Sequence, residues 1–172
     1  MEKIVLTLLI CFCLTSCSYL DTKYPEPSFI PFEKQEVLSS YDLRLIESTG
    51  RTINMYAKRN KVVFIHYWNT KDKDILDDIK IIEKLYDDYK LKIEFYFITD
   101  DSQQNIRKFI KENNLLFPNY YIGSTPLRPL IFNEVPKSYL ISKTGRIVMN
   151  EEGVKNWNSK ALRKTIDELL KQ

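Results

Sequence analysis

Two strongly apolar runs, separated by one amphipathic segment, constrain the fold of this chain more than any other feature. Residues 61–68 read Lys-Val-Val-Phe-Ile-His-Tyr-Trp, and residues 93–99 read Ile-Glu-Phe-Tyr-Phe-Ile-Thr. Such continuous β-branched and aromatic runs are typical of strands that are covered on both faces of a sheet. Between them, residues 74–89 carry apolar side chains at spacings of three and four, which predicts a helix with one buried stripe. This order predicts an α/β fold with a parallel centre.

Further elements are expected on both sides of this centre. Two β-hairpins are predicted. The first pairs residues 43–46 with residues 51–55, and the second pairs residues 138–141 with residues 146–149. Two more helices are predicted over residues 103–113, capped from the preceding Asp-Asp-Ser, and residues 159–172. Residues 118–136 contain four prolines, so we expect mostly loop there.

The start of the sequence predicts export and a lipid anchor. Residues 4–14 are apolar but too short to span a bilayer as a permanent helix, which is typical of a secretion signal. Leu14-Thr15-Ser16-Cys17 resembles the lipobox of bacterial lipoproteins. We therefore expect residues 1–16 to be a signal peptide and Cys17 to be acylated, holding the protein to the membrane on the extracytoplasmic face of a bacterial cell envelope. The alternatives are an ordinary signal peptide cut elsewhere and an uncleaved anchor.

The remaining chain is predicted to hold one domain. Residues 17–40 contain Pro25, Pro27 and Pro31 and no sustained period, so they are interpreted as the lipidated cysteine and a tether that docks partly on the domain of residues 41–172. The formal net charge of +3 is spread over mixed-sign clusters, so no nucleic-acid partner is expected. The sequence does not indicate an oligomeric state.

The positions of the cysteines limit the chemistry of the domain. The chain has 3 cysteines, Cys11, Cys13 and Cys17. The first two belong to the predicted signal peptide and the third to the predicted anchor, so the folded domain would contain no thiol. Intradomain disulfides, cysteine nucleophiles and cysteine-based metal sites are thereby excluded. We expect no cofactor and no bound metal.

Several motifs resemble one family of extracytoplasmic proteins. Residues 61–75 continue the strand into Asn-Thr-Lys-Asp-Lys-Asp-Ile, residues 114–118 read Asn-Leu-Leu-Phe-Pro, and residues 135–148 read Val-Pro-Lys-Ser-Tyr-Leu-Ile-Ser-Lys-Thr-Gly-Arg-Ile-Val. Aligned without a gap, these segments resemble the sequences of the TlpA-like and ResA-like thiol-disulfide oxidoreductases. The resemblance implies a thioredoxin-like fold, a central mixed β-sheet flanked by helices, with an N-terminal β-hairpin extension.

The same resemblance implies that the redox site is degenerate. The two positions that hold the family's redox cysteines are occupied by Asp72 and Ile75, with Lys73 and Asp74 between them. We expect Asp72 to cap the following helix, as a carboxylate at a helix N-terminus commonly does. The competing interpretation is that Asp72 and Asp74 together grip a cation or a basic partner.

A binding groove is the second implication of the resemblance. Val135-Pro136 matches the family's cis-proline, beside which relatives pair a bound peptide as an extra strand. The predicted groove residues are Trp68, Asn69, Thr70, Val135 and Pro136. Alternatively, Pro136 preserves only the shape of its loop, and Trp68 is a core residue.

These observations predict a redox-inactive, non-enzymatic module that binds or scaffolds an envelope protein or peptide. His66, the only histidine in the sequence, lies inside an apolar strand and is interpreted as a structural core residue. Two alternatives stay open. The chain acts in envelope redox homeostasis with the thiols of a partner, or it is an enzyme whose chemistry does not use thiols.

Overall fold

The computed structural model describes residues 23–38, 43–55, 60–126 and 128–172. The predicted signal peptide, residues 1–16, and the lipid attachment residue Cys17 lie outside this part of the chain. The predicted boundary between tether and domain falls within residues 39–42, which also lie outside it. These three assignments therefore stay predictions.

Seven strands, three α-helices and a short 3-10 helix (Phe32–Lys34) make up the regular structure of the described residues. The strands are β1 (Arg44–Glu47), β2 (Thr52–Asn54), β3 (Val63–Trp68), β4 (Glu94–Thr99), β5 (Asn119–Ile122), β6 (Lys137–Ile141) and β7 (Ile147–Glu152). The helices are α1 (Ile75–Tyr89), α2 (Gln103–Asn113) and α3 (Lys160–Lys171). The strands form one sheet in the order β2-β1-β5-β4-β3-β6-β7.

The centre of the sheet is parallel, as the two apolar runs predict. In β3 and β4, Phe64 lies opposite Phe95, and β4 continues in parallel with β5. On the other side β3 pairs antiparallel with β6, and β6 pairs antiparallel with β7. The predicted hairpin β1–β2 extends the sheet by pairing β1 antiparallel with β5. The predicted mixed sheet with an N-terminal hairpin extension is confirmed.

Strand β5 lies where the sequence predicted loop. Pro118 comes immediately before it, and a proline is compatible with a position just ahead of a strand. Its pairing partners are β4 and β1, which are remote in sequence. The other described residues of 118–136 form no strand or helix, so the prediction of mostly loop agrees with the structure, and pairing with distant strands determines the conformation of the short strand β5.

Local signals set where the helices begin and end. Ser102 accepts a hydrogen bond from the Asn105 backbone N–H at 3.2 Å and starts α2, and Ser159 caps α3 through the N–H of Leu162, also at 3.2 Å. Helix α2 ends at Asn114, whose φ of 53° is left-handed.

Within the described residues, no helix combines the length and apolarity needed to cross a bilayer.

The two faces of the sheet are covered by different parts of the chain. Along β3, Phe64 and Trp68 belong to the cluster that contains the buried residues of all three helices, including Ile79, Ile106 and Leu162. The alternate residues belong to a second cluster with the β1–β2 hairpin and the loop before β6; its members include Val63, Ile65, Tyr67, Leu45, Met55 and Leu130. Strand residues alternate between faces, so the helices cover one side of the sheet.

Residues 23–38 form an N-terminal strap along the free edge of β7. Ile30 donates its N–H to the Val148 carbonyl at 2.8 Å, and the Ile147 N–H bonds the Glu36 carbonyl at 2.9 Å. At one end of the strap, Pro25 accepts from the Asn156 N–H at 2.8 Å. Later strap residues contact earlier β7 residues, so the strap runs antiparallel to β7 and protects its edge.

Candidate functional site

The corner between β3 and α1 lies at the carboxyl end of the parallel strands. The Thr70 backbone N–H donates to Asp101 Oδ2 at 2.6 Å, which ties the segment after β3 to the end of β4. Asp101 is 9% exposed. The sequence pointed to Asp101 only as a candidate cap for α2, and that role belongs to Ser102.

Asp72 does not cap α1, contrary to the sequence prediction. Helix α1 begins at Ile75, its N-cap residue is Asp74, and no side-chain hydrogen bond caps it. Asp72 Oδ1 accepts from the Asp74 N–H at 2.8 Å, and the Asp72 carbonyl accepts from the Ile75 N–H at 3.3 Å. Asp72 lies two residues before the N-cap, so its carboxylate closes the turn that precedes the helix instead.

The four residues at the expected redox positions have different surroundings. Ile75 is 4% exposed and packs in the helix-side core. Lys73 is exposed, whereas Asp72 and Asp74 are partly buried. Among the described residues, no group of three or more His, Cys, Asp or Glu side chains is placed to hold a metal ion. A hydrogen-bonded turn thus occupies the corner.

The peptide bond between Val135 and Pro136 is cis, as predicted. A second cis bond, Arg128–Pro129, was not predicted. Tyr67 pairs with Lys137 in the β3–β6 ladder, so the residues that follow β3 and those that precede β6 lie at the same end of the sheet. The Pro136 carbonyl accepts from the Gly153 N–H at 2.9 Å. Pro136 therefore lies at the same sheet end as the β3–α1 corner.

Trp68 is not part of an open groove, in contrast to the sequence prediction. Its side chain is 1% exposed and packs against Phe109 and Phe117, with ring centroids 5.8 and 6.1 Å away. The indole Nε1 has no hydrogen-bond partner among the described residues. Trp68 faces the helix side of the sheet, where α2 and the loop before β5 cover it.

Four predicted groove residues remain as a candidate binding surface: Asn69, Thr70, Val135 and Pro136. Asn69, Thr70 and Val135 are partly exposed, while Pro136 is buried. Beneath them, Tyr67 stacks on Phe132 with ring centroids 4.0 Å apart. Burial raises the pKa of the Tyr67 phenol well above its usual range, so this group stays neutral. The surface therefore combines polar main chain with an apolar, uncharged floor.

A buried polar cluster beneath the sheet was missed by the sequence reasoning. His66 Nδ1 lies 2.8 Å from Ser138 Oγ, and Trp157 Nε1 donates to Asp78 Oδ1 at 2.6 Å. Asp78 follows Ile75 by three residues and precedes Ile82 by four, so it lies on the apolar stripe of α1. An acidic residue among the apolar positions of a helix is the sequence feature that could have pointed to a buried polar partner such as His66.

A cavity of about 370 Å³ lies at the opposite end of the sheet. Phe32 of the strap, Arg146 and Leu169 are among the residues that line it. Arg146 is placed over the Phe32 ring, with its guanidinium carbon 4.3 Å from the ring centroid. The cavity is therefore separate from the candidate binding surface.

The sheet order, the strand-to-helix corner and the cis-proline beside it define a thioredoxin-like protein. The chain is similar in sequence to proteins named thiol-disulfide oxidoreductase ResA and shares the thioredoxin-like fold of solved structures, as the resemblance implied. It is 29% identical over 107 residues to the thiol-disulfide oxidoreductase ResA of Bacillus cereus (strain ZK / E33L), an alignment that covers 58% of this chain and 59% of the relative. The chain thus spans about three fifths of the length of this curated relative. No protein-family model matches the chain.

Solved structures share the fold at low identity. A secreted thiol-disulfide isomerase from Corynebacterium glutamicum superposes with a TM-score of 0.61 at 15% identity, covering 88% of this chain and 95% of the neighbour. The exposed lipoprotein thioredoxin Etrx1 of Streptococcus pneumoniae superposes with a TM-score of 0.59 at 17% identity, covering 74% of this chain and 98% of the neighbour.

The comparisons correct one prediction. The sequence led us to expect a chain that is not an enzyme, because the family's redox cysteines are absent from the positions of Asp72 and Ile75. The relatives it matches are named thiol-disulfide oxidoreductases, and these are enzymes. The similarity to these enzymes contradicts the prediction that the chain is not an enzyme.

Proposed function

We propose that this chain is a thioredoxin-like envelope module that binds an extended polypeptide at Asn69, Thr70, Val135 and Pro136 and supplies no thiol of its own. Any sulfur chemistry at this site then uses the thiols of the bound partner. The observation that carries the proposal is that the partly exposed residues Asn69 and Val135 lie at the paired ends of β3 and β6, beside a corner whose sequence contains no cysteine.

Main-chain pairing supports the binding role. Val135 precedes β6 and Asn69 follows β3, so the two strand ends present backbone groups side by side. No hydrogen bond of the Val135 backbone to another described residue is found. An extended peptide can add as a short strand to such a position without using its side chains, a recognition mode that requires no thiol.

The envelope location is supported by the sequence and by two neighbours. Residues 14–17 resemble a lipobox, and Cys17 is the acylation residue that this motif implies. One structural neighbour is named as secreted and another as an exposed lipoprotein. We propose the same extracytoplasmic placement here, with the lipid on Cys17 as the anchor.

Binding is tested with an unfolded polypeptide that carries no free thiol, such as reduced and carboxymethylated ribonuclease A. Titrated into isotope-labelled protein without its first 17 residues, it is expected to shift the amide signals of Asn69, Thr70 and Val135. Val135→Asp places a charge on the surface and should weaken binding at least about fivefold, since a buried unpaired charge is costly. Val37→Asp is the matched control, because Val37 is 51% exposed and lies near the opposite end of the sheet. Equal affinity for both variants would refute the site.

The absence of a thiol is tested by insulin reduction with dithiothreitol. Residues 18–172 contain no cysteine, so we expect the rate to equal that of dithiothreitol alone. Turnover above that background would contradict the redox part of the proposal while leaving peptide binding open.

A further inference from the structure

The strap determines at which end of the domain the chain enters. Lys23 Nζ contacts Asp77 Oδ2 at 2.7 Å, and the Tyr24 hydroxyl donates to the same oxygen at 3.0 Å. Asp77 lies in the first turn of α1. The first described residues are therefore attached to the helix turn that follows the corner.

A second set of contacts supports the same placement. The Pro25 carbonyl accepts from the Asn156 N–H, in the loop that follows β7. The same loop contains Gly153, whose N–H bonds the Pro136 carbonyl at 2.9 Å. The beginning of the strap and the candidate binding surface thus share one end of the sheet. The other end of the strap lies at Gly145, where Leu38 donates to its carbonyl at 2.9 Å.

The covalent distance to the proposed anchor is short. Lys23 follows Cys17 by six residues, and a fully extended chain spans at most about 3.5 Å per residue. Whatever path residues 18–22 follow, Lys23 lies within about 21 Å of the acylated cysteine. A lipid on Cys17 therefore holds the corner end of the domain close to the bilayer surface.

We propose that the strap orients the domain with its binding surface toward the membrane, and that the occupant of this surface is an extended segment of a membrane-bound protein. This inference depends on the lipid anchor and the peptide-binding role proposed above. It adds the orientation of the site and the class of its partner.

The composition of the corner favours a polypeptide over the lipid surface itself. Lys71 and Lys73 alternate with Asp72 and Asp74, so this segment carries no formal net charge to attract anionic headgroups. Leu76 is 41% exposed, a single side chain and too little apolar area for stable insertion. The partly exposed residues Asn69 and Val135, at the paired ends of β3 and β6, are suited to pairing with another chain.

Orientation is tested on the full lipidated protein in vesicles that contain an energy-transfer acceptor on a lipid headgroup. The domain contains no thiol, so Lys73→Cys and Thr144→Cys each give one labelling position, at opposite ends of the sheet. Strand β7 runs between the two ends of the sheet and has six residues, each with a rise of about 3.3 Å. The distances of the two dyes from the bilayer surface should therefore differ by about 20 Å. We expect stronger transfer from position 73, and equal transfer or stronger transfer from position 144 would overturn the orientation.

A linker variant is the matched control. Inserting twenty Gly and Ser residues after Ser18 leaves the strap unchanged but removes the short covalent reach. We expect the difference between positions 73 and 144 to disappear in this variant. If the difference persists, the tether length does not orient the domain, and the inference fails.

The partner is tested with the carboxymethylated polypeptide attached to a lipid headgroup through a short spacer. Wild-type protein should bind it about tenfold or more tightly than the linker variant, because a fixed orientation raises the effective concentration at the site. Equal affinities of wild type and the linker variant would contradict the proposal that the partner is bound to the membrane. An environment-sensitive dye at position 73 shows whether this region inserts into plain vesicles. Insertion would identify lipid as the occupant of the surface and would also overturn the proposal of a membrane-bound protein partner.

Failures of the earlier proposal are distinguishable from these outcomes. If Cys17 is not acylated, the protein does not sediment with vesicles. If the surface binds no polypeptide, the titration in solution already shows no shifts at Val135, whatever the energy transfer reports.

Discussion

His66 Nε2 lies 3.1 Å from Asp78 Oδ2, with the two side chains only 1% and 0% exposed. This contact has the distance of an ion pair but not the alignment of a hydrogen bond. Asp78 also accepts the indole N–H of Trp157 at 2.6 Å, and His66 contacts Ser138. One buried carboxylate thus connects β3, α1 and the segment before α3, and Ser138 extends the cluster to β6.

Replacing Asp78 is therefore expected to be costly. Asp78→Ala leaves the Trp157 N–H and His66 without their buried partner, and we expect the free energy of unfolding to fall by about 3–5 kcal/mol. Asp78→Asn keeps an acceptor for Trp157 and should lose less. Urea unfolding followed by tryptophan fluorescence measures both changes. Asp87→Ala, at an exposed pair with Lys90, is the control and should unfold like wild type; a similar loss in the control would count against the cluster.

The helix starts predict opposite results for two capping substitutions. Ser102 makes a side-chain cap bond, so Ser102→Ala should lower the free energy of unfolding by about 1 kcal/mol. Asp74 is the N-cap of α1 but makes no side-chain cap bond, so Asp74→Ala should change it much less. Equilibrium urea unfolding compares the two variants. A larger effect at Asp74 than at Ser102 would show that the α1 cap is wrongly described.

The contact between strap and helix predicts an acid-dependent contribution. The hydrogen bond and charge of Lys23 hold the pKa of the Asp77 carboxyl below its usual value. A carboxyl with a lowered folded-state pKa stabilises the protein above its unfolded pKa of about 3.9, and this stabilisation is lost as the pH falls through the folded value. Wild type should therefore exceed Asp77→Asn in stability at pH 7, and the difference should vanish in strong acid. Urea midpoints at several pH values measure it, and a difference that grows in acid would contradict the assignment.

A restored dithiol tests the position of the corner. In Asp72→Cys with Ile75→Cys, the first thiol lies just before α1, where unpaired N–H groups and the helix dipole favour a thiolate. Its pKa should fall below the unperturbed value of about 8.5. Rates of alkylation against pH measure it, with Thr144→Cys as a control that should titrate near 8.5. A folded double variant with an unshifted pKa would show that Asp72 lacks the electrostatic environment of the helix start.

Much of the architecture was readable from local pattern. Val63 to Trp68, the stripe of α1 and the cap at Ser102 each carry their signal within a few neighbouring residues, and the structure agrees with them. The resemblance added the cis bond before Pro136, which no local pattern predicts. Strand β5 was missed because its partners, β1 and β4, are far away in sequence.

The candidate site was less predictable than the fold. Trp68 carries the same residue type whether it lines a groove or fills a core, and only the position of Phe109 and Phe117 decides that it is buried. Asp72 was assigned to the helix cap because the resemblance places the family's first redox cysteine at the start of the helix, and only the structure shows that α1 begins at Ile75 with Asp74 as its N-cap.

The sequence by itself determined the strands and helices other than β5, the lack of cysteine in residues 18–172 and the identity of the residues at the corner, because all of these are local or covalent properties. Tertiary structure alone decided that Asp78 meets His66, that Trp68 is buried and that the strap begins beside Asp77. Those relationships join residues that are distant along the chain, and only packing of the sheet against its helices and its strap brings them together.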